Sequence, residues 1–491
     1  MMTLQLTVAD GETSLEKPAD VSPGVALDLL RAYVANPIYR SARFEELVID
    51  DNPYRRPVRP EDFEWLGFDQ PLTRDSSSQL SSLLGNRVLL NVYDSGRPLL
   101  PAQMTAEKWR DFDLFYSLEN RARGEAVRPF LEHHLFDYVY QERQSQDLDA
   151  RIDGPAAAVD LLHDVADERR RQAALLVSTI VSSPQPARAA TMLTIQLLGG
   201  ELSAPQPMTR GTVRRLLDAT NRPQRPSTEV AAASPVTPAR QLLADLAHQF
   251  ELGQQPHQYY QFYLPSTLAL MNYVIGAQRD PGRVFRLLGA LVARAIESAA
   301  FLGSESQDLA ASLRGCDSGS ASLALPLDGQ DPVRQTVHWL SEHVVATISD
   351  RCGPRGLREF SYGVAEYATL LGVHHDDLLT QLRWIDASEA CRQKAERLQS
   401  AITRHQIPVE LDTFVESWEE CSTTHVHDAD RLLIIESGEM NFWNCFGDIH
   451  RLKPGDKFFV PKHRLHGSVV QSGQCVYHQP VITPEINQRY G

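Results

Sequence analysis

Two histidines one residue apart, in Thr424-His425-Val426-His427, constrain this chain more than any other feature. They are answered downstream by Pro454-Gly455-Asp456 and then by Pro461-Lys462-His463-Arg464-Leu465-His466. In a strand, residues two apart project from one face, so His425 and His427 can present both imidazoles to a single point inside a sheet. A third imidazole from a neighbouring strand, His466, would complete a metal site. Between them, Arg431 to Trp443 reads as a strand, a turn centred on Gly438 and a second strand.

The same texture extends through the carboxy-terminal part. Short β-type runs cover 409–418, 431–437, 439–445, 448–452, 457–460, 467–470 and 474–478, with Gly438, Gly447, Gly455 and Gly473 between them. So many short strands in one stretch suit a jelly-roll barrel. Pro454-Gly455-Asp456 forms a tight reversal, and Pro461 ends a strand so that the next loop returns His466 to the barrel mouth.

Upstream the periodicity is helical. After a loose polar start, helical spacing begins at Val25, breaks through the Pro-rich region Asp51 to Pro60, resumes at Ser77 to Leu84, and runs from Ala106 to Glu142. His133 and His134 in that last run read as helix histidines satisfied locally, since no second ligand cluster at helical spacing accompanies them. Helical spacing continues from 156 to about 202. A shift to Pro, Ser, Thr and Ala marks 203–237 as a linker, which a short helix from Thr212 to Ala219 interrupts. Six further helices are expected: Ala239 to Phe250, Thr267 to Ile275, Val284 to Phe301, Pro332 to Ser349, Leu357 to Leu371 and Asp376 to Gln399. The expected fold is multidomain α+β: a helical amino-terminal region at 1–202, the linker, an all-α domain at 238–404 and a β-barrel at 405–491.

Composition bears mainly on partners. A formal charge of -15 opposes a nucleic-acid or anionic-membrane surface, because phosphate binding needs a local excess of Lys and Arg. The six cysteines show no CxxC spacing, which points to a thiol-reducing cytoplasm. No stretch is apolar for long enough to span a bilayer. A soluble cytoplasmic protein is expected.

The histidine pair, Gly438, the Pro-Gly-Asp turn, Pro461 and His466, in this order, resemble the two motifs of the cupin family, small β-barrels that hold a metal in their mouth. The cupin pattern places a glutamate about four residues after its second histidine, and here that place holds Arg431, after Asp430. Arg cannot ligate, so the inferred site is three neutral imidazoles: His425, His427 and His466. Three-histidine cupins resemble thiol-dioxygenase iron sites, in which the substrate chelates Fe(II) and leaves a position for O₂. The alternatives are that Asp428 or Asp430 replaces the glutamate, or that the histidines hold a zinc or no metal. Tyr477, Trp418 and Arg431 are the candidate substrate contacts, and His450, His463 and His478 are expected at the surface or behind the ligands.

Within the second helical domain, Glu251-Leu252-Gly253 with His257 resembles the Glu-x-Gly stretch of haem-oxygenase-like di-iron oxygenases. Glu297 matches that family's next carboxylate, and His343 and Asp350 lie where its final ligand helix would run. Gln261 and Thr347 stand where a histidine and an aspartate are expected. A di-iron centre needs about six carboxylate and imidazole ligands, so Glu251, His257, Glu297, His343 and Asp350 form a degenerate second site, one that could still hold a second iron.

This order of parts resembles the N-nitrosourea synthases of bacterial specialised metabolism. The resemblance implies a dimer in which an Fe(II), O₂-dependent cupin rearranges an N-hydroxylated guanidine of an arginine-derived small molecule, forming an N–N bond. It leaves two alternatives: a bifunctional enzyme with both sites active, and a non-catalytic, metal-dependent module that binds a small molecule.

Overall fold

The computed structural model describes residues 23–40, 52–54, 56–65, 67, 70–203, 237–253, 255–301, 309, 331–418, 421–444 and 448–491. The expected linker at 203–237 and its short helix lie almost wholly outside these residues.

The helices run in order α1 (Pro23–Val34), α2 (Leu80–Asp94), α3 (Ala106–Phe115), α4 (Leu118–Ser145), α5 (Leu148–Arg151), α6 (Pro155–Val181), α7 (Pro186–Ser203), α8 (Thr237–Gln249), α9 (Pro265–Arg279), α10 (Val284–Phe301), α11 (Pro332–Leu340), α12 (Ala346–Leu382) and α13 (Ser388–His405). The single helix expected over Ala106 to Glu142 is two. Ser117 breaks it by capping α4, its Oγ accepting from the Asn120 N–H at 3.2 Å, and a lost cap of this kind costs about 1 kcal/mol. The break expected near Leu371 to Asp376 does not occur. There α12 runs on through His374, His375 and Asp377, because each polar side chain finds a tertiary partner. The Ser266 hydroxyl donates to Asp377 at 2.7 Å, Ser266 Oγ lies 3.1 Å from His374 Nδ1, and His375 Nε2 donates to the Gln172 carbonyl at 2.6 Å. Gly353, at φ 63°, and Pro354 kink the same helix near its start.

One apolar core joins helices from both sides of residue 237. Leu30, Leu89, Leu131, Leu162, Leu268, Leu288 and Phe360 are all fully buried in it. Close approach of α10 to α12 is set by glycine: a Cβ on Gly289 or Gly363 would fall within 2.2 Å of backbone on the opposing helix.

The carboxy-terminal part carries two antiparallel sheets. One has the order β11 (Val481–Ile482), β5 (Asp430–Ser437), β10 (Gln474–His478), β3 (Thr413–Ser417), with β8 (Lys457–Val460) also paired to β5. The other has the order β4 (Cys421–His425), β9 (His466–Val470), β6 (Met440–Asn444), β7 (Asp448–Leu452). Leu432, Leu433, Phe458 and Tyr477 from the first sheet share a core with Met440, Phe442, Leu452 and Val470 from the second. β4, β11 and a closing helix α14 (Pro484–Tyr490) add to the seven expected strands. The fold is multidomain α+β. Val426 and Leu465, flanking the histidines, belong to the helical core rather than to that of the sheets.

Candidate metal centre

The three histidines meet where the second sheet touches the helices. His425 ends β4 directly opposite His466, the first residue of β9. His427 lies past the end of its strand, so period-two alternation does not place it. Its backbone is held instead by the loop that carries His466, the His463 N–H donating to the His427 carbonyl at 2.8 Å. The ring centroids stand 4.9 Å apart for His425–His427, 4.4 Å for His425–His466 and 4.7 Å for His427–His466. Among the described residues this is the one group of three or more His, Cys, Asp or Glu side chains whose ligand atoms all lie within 4.8 Å of one another.

The donor set fits a divalent metal. A carbonyl can only accept, so His425 Nδ1, 2.8 Å from the Thr423 carbonyl, and His466 Nδ1, 2.7 Å from the Arg464 carbonyl, must both carry their protons. Each ring then offers the lone pair of Nε2. The Nε2 atoms of His427 and His466 are buried with no protein partner. Burial lowers His425 to about 4 and drives His427 and His466 well below the usual imidazole range. All three are neutral at pH 7, the form that ligates. Two buried ring nitrogens without a protein partner, beside a third imidazole, are costly without a cation, and a cation bound by neutral rings satisfies all three at once.

A cavity of about 740 Å³ opens over the triad, within the range that holds a small ligand. Tyr477 is in its wall, as expected. The phenol is pushed far up by burial and by Glu416, to which its O–H donates at 2.8 Å, and Phe414 stacks on its ring with centroids 5.2 Å apart. Arg431 also lines the cavity, but its Nη1 is held by Asp412 and by the Gln479 carbonyl, which is 3.0 Å away. Trp418 is 62% exposed and is not among the lining residues. Asp428 lines the cavity and takes the Leu80 N–H at 2.9 Å, starting α2 from the other part of the molecule, and Asp430 takes the Lys462 N–H at 2.8 Å. Neither joins the histidine group. His478 bonds outward to Thr413 and Glu436, and His450 to Ser388.

Sequence reading missed the remaining wall. Arg59 and Glu61, from the amino-terminal region, line the cavity together with Leu80. The one local signal was the Pro-rich run around Arg59, which marks a fixed backbone and says nothing about what it faces.

Of the five residues of the expected second site, Glu251 is exposed at φ 54°, Asp350 is exposed, and His257 is half-buried. His343 lies on a π-turn at Ser341–Val345, packed edge-on against Trp339. Glu297 is half-buried, its carboxyl pushed up to about 7 by desolvation although Arg169 Nε lies 3.9 Å away. These five do not gather into a ligand group. His133 is satisfied within its helix, facing Asp137 at 3.7 Å, whereas His134 is satisfied by distant segments, bonding to the Gln70 carbonyl and to Ser81.

No family model matches the chain. It is 27% identical over 487 residues to the nitrosourea synthase of Streptomyces achromogenes subsp. streptozoticus, covering 94% of this chain and 96% of that protein. The chain is nitrosourea synthase-like from the helical parts through the histidine-bearing sheets.

Proposed function

We propose that this chain is a non-haem Fe(II), O₂-dependent oxygenase of specialised metabolism, seated in a carboxy-terminal cupin. It acts on an N-hydroxylated guanidine of an arginine-derived substrate and rearranges it to form an N–N bond. The observation that carries the proposal is the neutral triad of His425, His427 and His466, the first two half-buried and the third buried, beneath a cavity of mixed polar and apolar lining, in a chain similar along its length to a nitrosourea synthase.

Three neutral imidazoles leave the charge of a bound Fe(II) uncompensated, so it would supply a strong attraction for an anionic chelating substrate and open positions for O₂. The protein's own part is positional. The Thr423 and Arg464 carbonyls fix two rings by their Nδ1–H bonds, which keeps the lone pairs directed inward. Tyr477 stays protonated across the physiological range and holds Glu416 by its O–H. Glu416 in turn is an acceptor in the cavity wall for a guanidine N–H. The helices cover the side of the triad away from the cavity, through Val426 and Leu465, and so limit water there.

The test is anaerobic loading of the full chain with Fe(II), then exposure to O₂ with hydroxylated arginine derivatives, with mass spectrometry of ¹⁵N-labelled product. An N–N-bonded product is expected, at about one iron per chain. Glu251→Ala should leave turnover within about twofold, since an exposed carboxylate outside any ligand group contributes little. Ligand binding with no product at any iron loading would overturn the oxygenase reading. Loss of turnover in Glu251→Ala would place chemistry in the helical part.

A further inference from the structure

The cavity over the triad is roofed by a segment far away in sequence. Arg56 of β2 (Arg56–Pro57), which pairs with β1 (Tyr39–Arg40), is buried, its Nη1 2.9 Å from Asp94 Oδ2, which also accepts from the Tyr260 hydroxyl at 2.7 Å. The Arg56 guanidinium lies over the rings of Phe115 and Tyr260. Val58 is fully buried and Phe63 is 3% exposed, so the backbone from 56 to 63 is anchored to the helical core at three points. What this fixed segment turns to the cavity is Arg59, half-buried, and Glu61, exposed.

We infer that Arg59 and Glu61 read the α-amino-acid end of the substrate, Arg59 holding its carboxylate and Glu61 its ammonium group, so that the site is completed only by the amino-terminal region. This rests on the reading of the triad as the seat of a reaction on an arginine-derived substrate. If the guanidine end lies against the histidines, the zwitterionic end of the same molecule must face the outer wall. A guanidinium two residues from a carboxylate, both on an anchored backbone, is the complementary charge pattern. Arg59 and Glu61 line the same cavity as His425 and Tyr477. A planar guanidinium suits a carboxylate, which it can bind through two parallel N–H bonds. Placing this recognition on a segment outside the sheets ties substrate selection to correct docking of the two parts.

The experiment measures equilibrium binding by anaerobic calorimetry on the Fe(II)-loaded full chain. Two probes are used, Nω-hydroxy-L-arginine and Nω-hydroxyagmatine, which lacks the carboxylate. Wild type should bind the amino acid at least about tenfold more tightly. Arg59→Ala should bring that ratio to within about twofold of unity, with affinity for the carboxylate-free probe retained, and Arg59→Lys should restore part of it. Glu61→Gln should weaken the amino acid several-fold. Iron content and far-ultraviolet dichroism identify a variant that fails to fold; in that event Arg59→Gln takes its place under the same criterion. An unchanged ratio in a folded Arg59 variant overturns the inference while leaving the proposed function standing, as does equal wild-type binding of both probes. Wild type binding neither probe overturns the substrate reading and the inference with it.

Discussion

His427→Ala should abolish turnover and remove most bound iron from the full chain. Loss of one of three imidazoles leaves two neutral ligands, too few to hold a labile divalent ion against water. Replacing residues behind the ligands alone typically costs 10- to 100-fold in metal affinity. Loss of a ligand should cost at least about 100-fold in affinity and about 10³-fold in turnover. Stability separates this from misfolding. Fe(II) binds only the folded chain and should raise the wild-type melting midpoint, whereas in the variant added Fe(II) should leave the midpoint where it is. The metal-free variant should melt close to the metal-free wild type, because the ring it loses is a neutral one whose Nε2 bonds to no protein atom. Full turnover in His427→Ala would remove the triad from the chemistry.

Gln381→Leu should be the most damaging change outside the ligands. This side chain on α12 is fully buried and spans the two parts of the molecule. Its Nε2 donates to the His463 carbonyl at 2.6 Å and its Oε1 accepts the Leu465 N–H at 3.0 Å. It thus holds the backbone on both sides of Arg464, which is two residues before His466. Arg464 is itself fully buried, donating to the Trp384 carbonyl at 2.9 Å and to Cys391 Sγ at 3.3 Å. Leucine fills the space but leaves two buried backbone groups unpaired, at about 1–3 kcal/mol each. Unfolding in denaturant should show a loss of about 2–5 kcal/mol. Iron affinity should fall about 10- to 100-fold because His466 is no longer oriented. Ile348→Ala is the control: a fully buried residue of the helical core, it should lose about 2–4 kcal/mol and keep wild-type iron affinity. Equal iron affinity in Gln381→Leu and wild type would show that the helices do not position the metal site.

What was legible in the sequence was local. Strand ends were marked by Gly438, Gly455 and Pro461, whose backbone constraints act within a few residues. Helical spacing was legible wherever one face was apolar. The gap expected between Leu371 and Asp376 is absent, because His374, His375 and Asp377 are satisfied by Ser266 and by the Gln172 carbonyl, partners distant along the chain. Of the nominated substrate contacts, Tyr477 and Arg431 line the cavity, Arg431 also bonded to Asp412, and Trp418 faces solvent.

The sequence by itself marked His425, His427 and His466 as residues of one site, through residue type and their order in a sheet-forming stretch, although β4 was not among the strand runs it marked. Only the tertiary structure decided how that site is closed. His427 lies beyond its strand and is placed by the His463 N–H, Gln381 clamps the third ligand's loop from a helix, and Arg59 and Glu61 roof the cavity from the amino-terminal region. Each of these is a contact between segments distant along the chain, made by burial and backbone hydrogen bonding rather than by periodicity, and no local pattern encodes it.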